Sequence, residues 1–150
     1  MVLMLPFLTV LLFGSIEVGY YFYNEHLVVK GVRDGARYAG RQSFADINCD
    51  GGSIPSAVQT AIKEVTRTGR VSGGTARIAG WTNSEVTVAL SCPGDGGGTA
   101  VTTGIYKTES DAPIVTVSAS VSFTSLFGSL GVIDSTYSLN ASQQAAVMGI

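Results

Sequence analysis

The sequence predicts an α+β protein: a long N-terminal membrane-spanning helix continues as an amphipathic helix, and a small antiparallel-sheet head with one further helix follows. Three observations support this prediction. Residues 1–23 contain one charged side chain, Glu17. Residues 24–43 keep a helical rhythm of apolar positions, and the chain after residue 70 alternates apolar and polar residues as strands do. We therefore divide the chain into a transmembrane segment at 1–23, an amphipathic extension at 24–43 and an exported head domain at 44–150.

The first segment has the length and composition of a membrane anchor, because about 20 apolar residues suffice to cross the hydrocarbon core as a helix. It lacks the basic n-region and the small-residue cleavage site of a secretory signal, and it is too long for an h-region. The aromatic cluster at residues 20–23 is predicted to lie at the membrane–water boundary. Glu17 is costly in lipid, so we expect it near the interface or against another helix.

Small residues along the helix predict close packing. Gly14 and Gly19 offer such a face in the first half, and Gly31 and Gly35 offer another in the second half. Pro6 is expected either to kink the helix or to lie in its first turn. Glycine inside a helix is unfavourable by about 1 kcal/mol relative to alanine, so these glycines indicate tight packing against the chain's own sheet or against neighbouring subunits.

A family resemblance appears in the same stretch. The segment LPFLTVLLFGSIEVGYYFYN, followed about ten residues later by RDGARYAG, resembles the TadE-like family of pilin-like proteins from bacterial tight-adherence systems. The matching features are an early Pro, an Ile-Glu-x-Gly step and a Gly-Ala-Arg-Tyr-Ala segment closing the helix, and the terminal LNASQQAAVMG is a weaker match. We predict roles in helix packing and assembly for Pro6, Gly14, Glu17, Gly19, Gly31, Gly35, Ala36, Arg37 and Tyr38.

The resemblance also implies an upstream leader. Members of the family carry a basic leader, a cleavage-site Gly and an early Glu before the Leu-Pro step, and this sequence begins four residues before Leu5. Gly14 is no substitute for that site, because Glu17 follows it by three residues rather than five. We expect either a start upstream of Met1 or a chain that no prepilin peptidase processes.

Charge and cysteine usage give opposite indications of where the head lies. Lys30, Arg33 and two further arginines follow the anchor, and the positive-inside rule would keep such a flank in the cytoplasm. Cys49 and Cys92, however, are an even pair in a small Ser-, Thr- and Gly-rich domain, which predicts a disulfide in an oxidising compartment. We give the disulfide more weight and predict a single-pass protein of the bacterial inner membrane with a periplasmic head, and we leave its incorporation into a surface pilus open.

The basic run, which ends at Arg41, is expected to solvate the helix or to contact lipid headgroups or a partner helix. With a formal net charge of −2 and no basic face or arm, the sequence gives no indication of nucleic-acid binding. The predicted partners are the membrane and other pilin-like subunits or pilus assembly proteins. No small-molecule substrate is indicated.

The sequence offers no catalytic or cofactor site. Asp46, Asn48 and Asp50 resemble the first half of a calcium loop, but Ala57 stands where the bidentate Glu would be, so an Asx-rich turn is the favoured interpretation and calcium the alternative. His26 is the single histidine and is expected to be an interfacial polar residue. The Gly-rich residues 93–98 lack the Gly-Lys-Ser/Thr ending of a phosphate loop. We predict neither an enzyme nor a cofactor.

The head is predicted to contain one helix and several strands. The helix is expected to start with Ser53 as N-cap and Pro55 in its first turn, to lie over a sheet and to stop at Gly69. Strands are predicted at residues 70–72, 76–81, 85–92, 100–107 and 114–123, with a turn at 82–84, an apolar turn at 127–132 and a last strand or short helix at 137–147. Trp81 is expected in the core, with a surface binding anchor as the alternative.

These patterns favour a structural protein. By resemblance it is a minor pilin or pseudopilin of a tight-adherence pilus or related secretion assembly, acting by helix packing and head contacts. The alternative is a membrane-anchored periplasmic or surface binding module outside any filament. Membership of a filament predicts that replacing Gly35 or Glu17 blocks assembly and leaves the head folded, whereas a binding module predicts that changes around Trp81 or residues 93–98 abolish its activity.

Overall fold

A computed structural model of the chain describes residues 4–92, 104–107, 111–127 and 137–149. It confirms the α+β prediction, with one long N-terminal helix, one further helix and a small antiparallel sheet. The elements in chain order are α1 (Met4–Gly40), α2 (Ser56–Thr68), a short 3-10 helix (Asn83–Glu85), β1 (Val86–Ser91), β2 (Ile114–Ser122) and β3 (Ser138–Ala146).

α1 is one unbroken helix of 37 residues, about 55 Å long at 1.5 Å per residue. Its two halves have different surroundings. Most side chains before Glu17 are exposed, whereas Val28, Val32, Ala36 and Ala39 are at most 1% exposed in the core of the head. The predicted amphipathic rhythm of the second half is therefore confirmed, and this half of α1 belongs to the head.

The three strands form an antiparallel sheet in the order β1-β2-β3, with β2 in the centre. In the pair formed by β1 and β2, Val88 lies opposite Val117. In the pair formed by β2 and β3, Val121 lies opposite Leu139. The apolar positions of β2, at 115, 117, 119 and 121, are buried beneath the helices. The Ser and Thr residues between them form the opposite face, as the two-residue alternation predicts.

Both helices lie on the apolar face of this sheet. α1 covers β2 and β3, while α2 lies beside α1 and touches the sheet at β1. α2 was expected to lie over a sheet, and in the structure it packs chiefly against α1. Gly31 and Gly35 make this close approach possible, because a Cβ at either position would overlap the carbonyl oxygen or the hydroxyl of Thr66. Trp81 is 1% exposed and lies over Gly31.

The glycines of the second half thus serve the protein's own fold, an alternative that the sequence left open. The sequence predicts a role for Gly35 in assembly, and from this packing we also expect its replacement to disturb the contact between α1 and α2.

The boundaries of α2 differ from the prediction at one end. The helix begins at Ser56, and its N-cap is Pro55, two residues after the predicted cap at Ser53. Ile54 precedes the helix and is buried, so core packing rather than helix periodicity explains this apolar position. The predicted stop is confirmed, because Gly69 adopts a left-handed conformation with φ of 79° and donates its N–H to the Val65 carbonyl.

The strands predicted at 70–72 and 76–81 do not form. Arg77 instead donates its N–H to the Arg67 carbonyl, and its guanidinium pairs with Asp34 of α1 at 2.6 Å. The predicted turn at 82–84 is a 3-10 helix at Asn83–Glu85, because the Glu85 carboxylate accepts the Thr82 N–H at 2.7 Å in a capping box. The apparent alternation before β1 therefore reflects packing against the helices rather than strand pairing.

Two other predicted segments are partly described. Residues 104–107 form a turn rather than a strand, and the rest of the strand predicted at 100–107 lies outside the described residues. The last segment is the strand β3 rather than a helix. Phe127 is the described member of the predicted apolar turn, and its other members, Leu130 and Val132, lie outside the described residues.

Cys49 and Cys92 form the predicted disulfide, with their Sγ atoms 2.09 Å apart. Cys49 lies in the connection between α1 and α2, and Cys92 directly follows β1. The bond therefore ties the end of the head farthest along α1 to the edge strand β1.

A polar cluster joins α2 to the segment before β1. Glu64 accepts hydrogen bonds from Asn83 at 2.9 Å and from Arg67 at 2.8 Å. Arg67 also donates to the Asn83 side chain and to the Trp81 carbonyl. The hydrogen bond from Asn83 and then that from Arg67 lower the pKa of Glu64 below its ordinary value.

We predict that replacing both cysteines with Ser lowers the free energy of unfolding by about 4 kcal/mol, because the bond closes a loop spanning 43 residues of sequence separation. Urea unfolding of the full chain in detergent micelles checks this expectation. Reduced wild-type protein is the control and should unfold at the same urea concentration as the double variant. Equal stability of oxidised wild type and variant would show that the bond adds nothing.

The glycine positions give a matched pair of variants. Gly35→Ala is expected to destabilise the head by about 1–3 kcal/mol, since overpacking against Thr66 must be relieved. Gly19→Ala meets no described atom within 4 Å and should be neutral or stabilising by about 1 kcal/mol through helix propensity. Thermal unfolding of both variants tests the pair, and similar effects at the two positions would contradict the packing described here.

The lowered pKa of Glu64 predicts a pH-dependent contribution to stability. The ionised form is favoured in the folded state, so the contribution is complete above about pH 4.5 and is lost as the pH falls through the folded-state pKa. The stability difference between wild type and Glu64→Gln should therefore shrink as the pH is lowered below about pH 4.5. A difference that stays constant over this range would exclude the proposed role of the Glu64 charge.

Candidate membrane and assembly surface

The first half of α1 presents a continuous apolar surface. Its large exposed side chains include Met4, Leu5, Phe7, Leu8, Val10, Leu11, Leu12, Ile16 and Val18. In length and composition the helix can cross a membrane, and only 6% of its most apolar stretch is buried in the protein. This exposure separates it from the core helix of a soluble domain, which is mostly buried. The arrangement fits single-pass membrane anchoring.

Glu17 lies where the head meets the apolar half of this helix. Its side chain is fully buried, and its carboxylate accepts the backbone N–H of Leu126 at 3.1 Å and that of Phe127 at 3.3 Å. The ring of Phe127 also packs against Phe13, one turn earlier on α1, with a centroid distance of 5.0 Å. The sequence predicted that Glu17 lies near the interface or against another helix, and its partner within the chain is the loop after β2.

The aromatic cluster at residues 20–23 is divided between the head and the exterior. The rings of Tyr20 and Tyr21 pack against Phe123 with centroid distances of 5.8 and 5.2 Å. Phe22 and Tyr23 are exposed. One face of the cluster therefore fixes the head on α1, and the other face is available to lipid or to another protein.

Other residues of the first half have few neighbours within the chain. A Cβ at Gly14 or Gly19 would meet no described atom within 4 Å, so neither glycine serves packing inside the described part of the chain. Pro6 is the third residue of α1 as described, and its carbonyl accepts the Thr9 hydroxyl at 2.8 Å. It therefore lies in the first turn of the described helix.

The motif residues of the second half lie on different sides of the helix. Ala36 is in the core beside Gly35, and Tyr38 is half-buried against the core. Arg37 is exposed and lines a shallow groove between α1 and β3 together with Arg33. The predicted assembly residues thus do not form one surface: Gly31, Gly35 and Ala36 are inside the head, while Gly14, Gly19 and Arg37 are accessible.

The basic run forms one exposed stripe on α1. Lys30, Arg33, Arg37 and Arg41 follow one another at spacings of three or four residues, and His26 precedes them on the same side. Lys30 lies about 10 Å along the helix from Tyr23, at 1.5 Å per residue. The stripe therefore extends away from the apolar half and along the head.

Among the residues that the structure describes, the chemistry-bearing side chains do not converge on a reactive site. Within the described ranges, no group of three or more His, Cys, Asp and Glu residues could hold a metal ion. Asn48 accepts the Gly51 N–H through Oδ1 and donates to the Phe44 carbonyl, so its amide is engaged in an Asx-type turn. This hydrogen bonding supports the favoured interpretation of residues 46–51.

Sequence reasoning did not predict the contact between Glu17 and the loop after β2. Leu126 and Phe127 are two apolar residues directly beside a predicted strand, which is also typical of an ordinary turn. Glu17 is separated from these residues by 109 and 110 positions, and no local pattern encodes such a pair. The only available signal was the carboxylate itself, which required a partner in an apolar environment.

Comparison with known proteins gives one match. The model of a family described as TadE-like protein matches residues 1–37, which is the part of the chain that carries the early Pro, the Ile-Glu-x-Gly step and most of the closing segment. No curated protein and no solved structure matches the chain. The N-terminal helix, from the apolar half through most of the part packed in the head, is therefore similar to that of TadE-like proteins, a family associated with tight-adherence pili.

Proposed function

We propose that this protein is a minor pilin or pseudopilin of a tight-adherence pilus or a related secretion assembly. The observation that carries the proposal is the exposed apolar half of α1, which lies within the TadE-like match over residues 1–37. The protein acts by packing this helix in the membrane or against neighbouring subunits, and its head supplies the contact surface. The role is structural and involves no catalytic turnover.

Gly14 and Gly19 are the residues proposed to receive a neighbouring helix. Both lie on the apolar half of α1, and neither has a described atom near the position of a Cβ. Small residues allow helix backbones to approach closely in an apolar environment, where dispersion contacts replace the hydrophobic effect as the driving force. By contrast, Gly31 and Gly35 are already in contact with α2 and are not part of the proposed surface.

The proposed location is the bacterial inner membrane, with the head in the periplasm. The disulfide between Cys49 and Cys92 supports this location, because such bonds persist in oxidising compartments. The basic stripe favours the opposite orientation under the positive-inside rule, because Lys30, Arg33 and Arg37 lie within about 15 residues of the end of the anchor, and we give the disulfide more weight. Trp81, the anchor considered for a binding module, is in the core, and residues 93–98, the other site considered, lie outside the described residues. No described residue therefore favours that alternative.

The test is to fill the two glycine positions with Leu in the bacterium that produces the protein. We expect Gly14→Leu with Gly19→Leu to reduce surface pili several-fold, because two bulky side chains would hold a neighbouring helix away. Electron microscopy and the amount of pilus protein sheared from cells measure the effect. The head should remain folded, with the chain at its wild-type level and its disulfide oxidised.

Val18→Leu is the matched control, since it enlarges an exposed side chain next to Gly19 without filling a glycine position. Its pili should be as abundant as those of wild type. If the double glycine variant also assembles normally, the helix-packing role of this face is wrong. If deletion of the whole chain leaves pili and secretion intact, the assembly function itself is wrong.

A further inference from the structure

The loop after β2 lies beside the apolar half of α1. We define residues 124–127 as the tip loop. Its backbone is bound to Glu17, its Phe127 ring packs on Phe13, and its Leu126 side chain is 53% exposed. Among the described residues of the head, the tip loop therefore places Leu126 and Phe127 next to the helix that fits a membrane anchor.

Exposed apolar side chains continue along α1 past the tip loop. Ile16 and Val18 flank Glu17 and are about half exposed, and Phe22 and Tyr23 are 55% and 61% exposed. Phe22 lies five residues beyond Glu17, about 7.5 Å along the helix axis. A bilayer that covers these side chains must reach beyond Glu17, and it therefore also reaches the tip loop.

A second set of aromatic residues comes from the head at the same level. The Tyr137 carbonyl accepts the Phe123 N–H at 2.9 Å, and the Phe123 ring contacts Tyr20 and Tyr21 of α1. Tyr137 is 57% exposed. Together with Phe22 and Tyr23, it forms a partial ring of exposed aromatic side chains around the base of the head, which is typical of the membrane–water boundary.

Glu17 makes this position of the tip loop chemically acceptable. A backbone N–H without a partner costs several kcal/mol in an apolar environment, and the Glu17 carboxylate accepts two N–H groups of the tip loop. In return, these donors satisfy a carboxylate that would otherwise face lipid. The carboxylate and the two N–H groups therefore satisfy one another's hydrogen bonding, and the loop can lie at a depth where water is scarce.

We propose that the head is seated in the lipid interface, with Leu126 of the tip loop inserted among the lipids. Phe22, Tyr23 and Tyr137 contact the headgroup region, and Glu17 is the positioning residue that holds the tip loop at this depth. The partner is the bilayer itself rather than a neighbouring subunit. The proposal rests on α1 being a membrane anchor, as proposed above.

The test uses spin labels on the full chain in liposomes of phosphatidylcholine and phosphatidylglycerol. A nitroxide is attached at Leu126→Cys, which is selective because both native cysteines are in the disulfide. Collision rates with oxygen, which concentrates in lipid, and with a water-soluble nickel chelate report the depth of the label. Leu11→Cys on α1 and the exposed Thr87→Cys on the polar face of the sheet are the lipid and water references.

We expect the oxygen-to-nickel collision ratio at Leu126 to exceed that at Thr87 several-fold and to lie nearer that at Leu11. A ratio equal to that at Thr87, with Leu11 in lipid, overturns the seated head and leaves the anchor intact. A water-like ratio at Leu11 overturns the anchor as well. Protection of Leu126 from both reagents overturns the lipid contact in favour of burial against protein.

The role of Glu17 is tested in the same labelled chain. Glu17→Ala removes both acceptors, so the Leu126 label should become more mobile and several-fold more accessible to nickel, while the Leu11 label is unchanged. Glu17→Gln retains one acceptor oxygen and should give an intermediate result. If a label at Thr87→Cys gives the same spectrum with and without the Glu17 substitution, the head remains folded. An unchanged Leu126 label in Glu17→Ala would exclude Glu17 as the positioning residue.

Discussion

The contact between α1 and α2 at Gly31 and Gly35 is the constraint on which the structure depends. Thr66 of α2 occupies the space that a Cβ of either glycine would need, and Trp81 lies over Gly31. The next face of the same helix, with Val28 and its neighbours, covers β2 and β3. One stretch of α1 therefore forms the centre of the core, and the head cannot fold without the helix that anchors it.

This arrangement places one continuous helix in two environments. The second half of α1 is buried by protein, and the first half presents apolar side chains that protein does not cover. Glu17 lies at the junction, where its carboxylate binds two backbone N–H groups of the head. Such a junction suits a subunit that must keep its head fixed relative to the membrane, because the head then has no flexible linker about which to rotate.

The sequence predicted those parts of the fold that depend on local periodicity. The apolar periodicity of α1 is visible within a few helical turns, and the alternation of apolar and polar residues in β2 is visible within a few residues. Gly69 ends α2 because it can adopt positive φ. The strand expected at 76–81 did not form, because Arg77 and Trp81 are held by α1 and α2 rather than by a neighbouring strand. The partners of Glu17 were likewise unpredictable, since the contact joins residues more than 100 positions apart.

Two attachments at opposite ends fix the head on its helix. At the far end, the disulfide links the segment after α1 to β1, and at the near end Glu17 holds the loop after β2. The core residues that begin at Val28 lie between them. Adding or removing one residue between Glu17 and Val28 would rotate one set of contacts by about 100° and shift it by about 1.5 Å relative to the other. Since the loop that Glu17 binds follows β2, a strand that α1 covers, the fold fixes the length of this segment and the height of the head above the apolar half of α1.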